Sequence, residues 1–165
     1  WRDVLRRFVE KCKTDQRTWA RPNRRFVSQG LYLPSADGEA MGELVVAVDC
    51  SGSVGDDELA QFKSEVHTIF EDSKPKNLHI IFFESSVCGY DVMSRDDEFL
   101  FNPRGSGGTA FSPIFRKVEE ENIEPVACVV LTDLYCGDFG DEPDYPVLWV
   151  SYGADETPWG EVVMI

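Results

Sequence analysis

A chain of 165 residues carrying 30 Asp and Glu against 16 Lys and Arg has the length of one domain and a formal net charge of −14. That charge speaks against nucleic acid as the ligand of the chain as a whole, and no apolar stretch approaches the roughly 18 residues of a membrane span. Five cysteines, Cys12, Cys50, Cys88, Cys128 and Cys136, lack C-x-x-C spacing, so reduced structural thiols in the cytoplasm are expected rather than a Cys50–Cys136 disulfide.

The chain opens on Trp1 rather than Met, which is read as a soluble piece of something longer. Val4, Leu5, Phe8, Val9 and Cys12 fall on one stripe at helical spacing, so an amphipathic helix is expected until Thr14-Asp15. A basic arm from Arg17 to Arg25 follows. Residues 1–30 hold nine Lys/Arg against three Asp/Glu, whereas the remainder holds seven against twenty-seven. Such an arm is expected to lie on the acidic body or on an acidic neighbour, nucleic acid being the lesser alternative. Phe26-Val27 and Leu31-Tyr32-Leu33 read as short extended pieces, and Ser35 to Gly38 as a turn.

From Leu44 onward strand and helix signals alternate, which predicts an open, mostly parallel α/β sheet with helices on both faces. Residues 1–42 are taken as the helix and arm, and 43–165 as the domain. The first core strand, Leu44 to Val48, ends at Asp49. A helix follows, with Asp56 as its expected N-cap and Leu59, Phe62, Val66, Ile69 and Phe70 facing the core, and Pro75 stops it. Leu78 to Phe83 is the second strand, Val87 to Val92 an edge strand, and Asp96 to Asn102 reads equally as strand or loop. Ser112-Pro113 marks the start of a second helix running to about Glu121, with Ser as cap and Pro in the first turn. Strands follow at Val126–Leu131, Val147–Val150 and Glu161–Ile165.

The chemistry concentrates at strand ends. Asp49-Cys50-Ser51-Gly52-Ser53 puts a carboxylate and two hydroxyls on the loop leaving the first strand, Gly107-Gly108-Thr109 precedes the second helix, and Asp133 closes the run Val126 to Thr132. Ligands of open parallel sheets bind outside the carboxyl ends of strands where the strand order reverses, so Asp49, Ser51, Ser53, Thr109 and Asp133 are expected on one rim. Hydroxyls with few carboxylates suit a hard cation such as Mg²⁺ or Mn²⁺, which takes about six oxygen ligands and retains several waters. Each Asp alone could be a cap or turn former. Gly105 to Thr109 lacks the Gly-Lys-Ser/Thr ending of a phosphate loop and is read as flexibility beside the metal. Asp138, Asp141, Glu142 and Asp144 fit no EF-hand and read as a solvated acidic loop. His67 and His79 read as structural, and Trp149, Trp159 and Tyr152 as cover for the sheet edge.

The set Asp-x-Ser-x-Ser, then Thr, then Asp resembles the von Willebrand factor A (VWA) domain with its metal-ion-dependent adhesion site, over roughly Glu43 to Ile165. By that resemblance Ser51 and Ser53 would bind the ion directly, Thr109 directly or through water, and Asp49 and Asp133 mainly through water. The last coordination position would take an Asp or Glu from a partner. Trp19 to Phe26, Leu31 to Ser35 and Pro158 to Val162 further resemble the carboxyl-terminal domain of a bacterial and phage family, which follows a metallopeptidase-like region and is associated with AAA+ ATPases. Two departures stand out. Leu134 to Pro146 leaves room for only a loop where the family has a helix, and no helix signal follows the last strand, so switching by a sliding carboxyl-terminal helix is not implied. Cys50, in a position usually small or hydroxylic, is expected to pack.

The function expected is a metal-dependent protein-interaction module, not an enzyme, whose acidic ligand comes from another protein or from an upstream domain. The alternative is a Mg²⁺-dependent phosphoryl-transfer hydrolase with Asp49 as nucleophile. Ser51 stands where such enzymes need a second acid, and no Lys lies between Lys76 and Lys117. A structural α/β domain without bound metal is the third reading.

Overall fold

Leu44 to Val48 are all fully buried, the mark of a strand covered on both faces, and they lie at the middle of the sheet. The computed structural model describes residues 3–4, 7–8, 11–12, 18–22, 34–35 and 41–165. Leu5, Val9, Thr14-Asp15, Arg17, Asn23 to Arg25, Phe26-Val27, Leu31 to Leu33 and the turn at Ala36 to Gly38 lie outside the described residues. Within the opening segment, residues 3–4, 7–8 and 11–12 are helical; Phe8 and Cys12 are buried, whereas Val4 is exposed. Part of the expected basic arm is a strand: β1 (Thr18–Pro22) pairs antiparallel with β2 (Pro34–Ser35).

The main sheet has six strands. β3 (Met41–Asp49) lies between β4 (Pro75–Phe83) and β6 (Pro125–Thr132), both parallel to it. β5 (Val87–Ser94) closes one edge antiparallel to β4, and β7 (Val147–Ser151) and β8 (Glu161–Met164) extend the other edge in parallel. The order β5-β4-β3-β6-β7-β8 reverses direction between β3 and β6, where the expected rim lies.

Alternate residues of each strand divide the core in two. Leu44, Val46, Val48, Leu78, Ile80 and Phe82 pack with helix α1 (Asp56–Ser73) through Phe62, Val66, Ile69 and Phe70. Val45, Ala47, Ile81 and Phe83 pack with helix α2 (Ser112–Glu120) through Ile114, Phe115 and Val118. Helices thus cover both faces.

Both helices begin one residue earlier than their sequence signals suggest. Gly55, in extended backbone, caps α1, and its N–H donates to the Glu58 carboxylate at 3.1 Å, so Asp56 is already the first helical residue. Phe111 caps α2 because the Ser112 hydroxyl turns away to donate to Asp138 Oδ2 at 2.6 Å. Residues 95–110 form an irregular loop, not a strand, and its Phe99 and Phe101 lie against Phe70 and Phe82.

Residues 134–146, between β6 and β7, contain no helix. Rings do the covering there: Phe139 lies 5.3 Å from Trp149 and 5.0 Å from Phe111, and Trp159 lies 5.2 Å from both Trp149 and Phe115. Trp149 is fully buried and its indole N–H donates to the Trp159 carbonyl at 3.0 Å, which satisfies its one polar atom. No helix among the described residues is long and apolar enough to cross a membrane.

Candidate metal centre

Three strand ends build the rim. Asp49, the last residue of β3, is fully buried, and both its oxygens are held: Oδ1 accepts from the Ser51 N–H at 2.9 Å and Oδ2 from the Thr132 hydroxyl at 2.6 Å. Burial raises the Asp49 pKa, against the opposing pull of its hydrogen bonds from Ser51 and Thr132; the charge of Asp133 adds to the rise. Thr132 serves as a strut, because its oxygen also accepts the Leu134 N–H at 3.1 Å.

The Asp49 turn places Ser51 and Ser53 together, with their hydroxyl oxygens 3.2 Å apart. Ser51 is 3% exposed and Ser53 faces solvent, so the pair leads from the interior to the surface. Cys50, between Asp49 and Ser51, is buried, and its thiol donates weakly to the Val48 carbonyl. Burial pushes its pKa up to about 12, with the nearby Cys88 thiol a lesser cause; Cys50 therefore packs as an inert thiol, as expected.

The second loop is tied to the first by the Gly52 N–H, which donates to the Gly107 carbonyl at 3.0 Å. Its shape comes from Glu84, just beyond β4, a residue sequence reasoning missed. One Glu84 oxygen accepts the N–H groups of Ser106 (3.0 Å) and Gly107 (2.7 Å), and its carbonyl accepts that of Ala110 at 2.9 Å. A Cβ on Gly107 would lie 2.7 Å from that carboxylate oxygen, which explains a glycine there. Gly105, at φ +134°, supplies a turn few side chains permit. The glycines therefore fold around a carboxylate instead of merely loosening the loop. Thr109 sits half-buried at its end, its carbonyl accepting the Cys136 thiol at 3.0 Å.

Asp133, 1% exposed, begins the third loop. Its Oδ1 accepts the Tyr135 N–H at 3.0 Å, while Oδ2 is buried with no hydrogen-bond partner. A fourth strand end joins here: the Ala154 N–H donates to the Asp133 carbonyl at 2.9 Å, and a Cβ on Gly153 would come within 2.2 Å of that same oxygen. Tyr152 in this segment does not cover the sheet edge as the sequence suggested. It packs against Phe62 of α1, with ring centroids 5.9 Å apart.

Asp49, Ser51 and Ser53 thus form one hydrogen-bonded unit, Thr132 links it to the Asp133 loop, and the Gly52–Gly107 bond brings the Thr109 loop alongside. The remaining sequence candidates fall elsewhere. Asp138 accepts the Ser112 hydroxyl at the start of α2, while Asp141, Glu142 and Asp144 are exposed. His67 lies on the outer surface of α1 against Phe99, and buried His79 meets the Tyr90 hydroxyl through Nδ1 at 2.8 Å. No group of three or more His, Cys, Asp and Glu side chains suited to a metal occurs among the described residues. The donor atoms gathered at the rim are the carboxylate oxygens of Asp49 and Asp133 and the hydroxyls of Ser51 and Ser53.

A family model described as a VWA-like domain (DUF2201) matches residues 44–165, most of the chain. The chain belongs to the VWA-like domain family. No curated protein and no solved structure matches it. The matched span runs from the first fully buried residue of β3 to the end of the chain, so this VWA-like domain contains all four strand ends of the rim.

Proposed function

We propose that this VWA-like domain is a divalent-cation-dependent protein-interaction module. Asp49, Ser51, Ser53, Thr109 and Asp133 would hold Mg²⁺ or Mn²⁺, and the ion would offer its outer face to an Asp or Glu of a partner. The observation that supports this best is the buried carboxylate pair beneath two hydroxyls, with Asp133 Oδ2 unpartnered. A buried ionised carboxylate is costly unless a positive charge or hydrogen bonds compensate it, and a cation here would do so for both carboxylates. Neutral hydroxyls leave most of the ion's charge uncancelled, and a partner carboxylate is the ligand such an ion attracts.

Binding is favoured over phosphoryl transfer because Asp49 is fully buried and both its oxygens are engaged, a poor state for a nucleophile. The partner envisaged is an AAA+ ATPase or an upstream metallopeptidase-like region, in the cytoplasm; this part rests on the resemblance carried by Trp19 to Phe26, Leu31 to Ser35 and Pro158 to Val162.

Thermal melts with Mg²⁺ or Mn²⁺ test the site, since a ligand bound only by the folded state adds RT ln(1 + [L]/Kd), about 1.4 kcal/mol at roughly tenfold excess over Kd. A cation-dependent rise in Tm, lost in Ser51→Ala and Asp49→Ala, is the expected result. Partner capture from native extract that is abolished by chelator tests the interaction. Capture unchanged in excess EDTA would refute the proposal.

A further inference from the structure

Only three buried side-chain polar atoms among the described residues lack a hydrogen-bond partner, and two of them, Asp133 Oδ2 and the Tyr152 hydroxyl, belong to the rim. The third, His79 Nε2, lies far along β4 from the strand end. Tyr152 reaches this place by its fold position. It follows β7 immediately, its ring is anchored on the fully buried Phe62, and its segment is bonded to the Asp133 carbonyl through Ala154.

A phenylalanine would pack the same ring without burying an unpaired hydroxyl, which costs about 1–3 kcal/mol. The hydroxyl is buried with no hydrogen-bond partner. Burial raises its pKa first, and the charges of Asp133, Asp49 and Glu58, in that order, raise it further. The phenol is therefore neutral, able to donate one hydrogen bond and accept another.

Resting on the cation reading above, we infer that Tyr152 is a positioning residue of the metal centre, its hydroxyl and Asp133 Oδ2 together holding a water bound to the cation. A water on a divalent ion is a strong donor of two hydrogen bonds. Asp133 Oδ2 and the phenol oxygen are the two buried side-chain acceptors on this rim that have no partner among the described residues. Tyr152 touches the ion only through that water and its role is orientation, the work that outer ligands of metal sites perform.

The test is Tyr152→Phe in the full chain, titrated with Mg²⁺ and with Mn²⁺ by calorimetry and by thermal melt. Affinity is expected to fall about tenfold for both ions. Metal-free Tm is expected to hold or rise, because the variant buries no unpaired hydroxyl. A merely structural Tyr152 would give the opposite pattern, with metal-free Tm lowered and cation affinity unchanged, and unchanged affinity overturns the inference while leaving the cation reading intact. If the unmodified protein shows neither heat nor Tm shift at millimolar cation, the cation reading itself fails and this inference with it.

Discussion

Thr132→Val is the sharpest perturbation this rim offers, because it replaces one oxygen with a methyl of nearly the same size at a fully buried position. The lost oxygen has two bonds: it donates to Asp49 Oδ2 at 2.6 Å and accepts the Leu134 N–H at 3.1 Å. A hydrogen bond to a charged acceptor contributes about 1.5–3 kcal/mol, and stranding the buried Leu134 N–H costs about 1–3 kcal/mol more. The new methyl returns about 0.8 kcal/mol by its burial. The net expectation is a loss of about 3 kcal/mol, or about 6–12 °C in Tm for a chain of this size. Equilibrium urea unfolding with an unchanged m-value, together with calorimetry in the absence of divalent cation, measures it. A loss below about 1 kcal/mol would refute the view that Thr132 braces Asp49, since that is the level of an ordinary exposed substitution.

Three further expectations rest on the same kind of reasoning. Gly107→Ala would press a Cβ to 2.7 Å from the Glu84 oxygen that organises the second loop, so destabilisation by about 1–2 kcal/mol is expected in urea unfolding. Glu84→Gln should be milder than Glu84→Ala, because an amide oxygen can still accept both loop N–H groups; equal losses would sink this account of the loop. For His79, burial lowers the pKa against the opposing charges of Glu43 and Glu121, so the unfolded chain takes up the proton first as pH falls. Its contribution is complete above the unfolded value of about 6.5 and is lost as pH drops through the lower folded value. His79→Phe should therefore show a flatter fall in stability between about pH 7 and 5 than the parent chain, and parallel curves would contradict it.

Much of the architecture was legible because buried parallel strands are written as unbroken apolar runs. Leu44 to Val48 and Val126 to Leu131 announced both the centre of the sheet and the point where its order reverses. The loop replacing a helix at residues 134–146 was equally legible from Gly137, Gly140, Pro143 and Pro146. Errors arose where a distant residue overrode a local signal. Ser112 carries the right chemistry for a cap, but Asp138, twenty-six positions away, takes its hydroxyl. At Asp96 to Asn102, which read equally as strand or loop, Phe99 and Phe101 decide for the loop by seating it on Phe70 and Phe82.

The same limit applied to the rim. Asp49, Ser51 and Ser53 are close in sequence, and a local turn joins them, so their grouping could be read directly. Glu84, Thr132 and Tyr152 could not be found this way. Thr132 looks like the last residue of an apolar strand, Glu84 like a turn residue, and Tyr152 like one more aromatic near the sheet edge. Each acquires its role from a partner between 23 and 90 residues distant: Gly107 for Glu84, Asp49 for Thr132 and Phe62 for Tyr152.

The ring cluster of Phe111, Phe115, Phe139, Trp149 and Trp159 gives the two sides of the sheet unequal mechanical characters. The α1 side is spanned by five turns of continuous hydrogen-bonded backbone, whereas the connection carrying Asp133 depends on interlocked side chains with few ladder bonds of its own. Amides of residues 134–146 should therefore exchange with solvent earlier than those of α1. An approaching ligand would meet a stiff wall holding Ser51 and Ser53 and a more yielding one holding Asp133, so adjustment to its shape would fall to the latter.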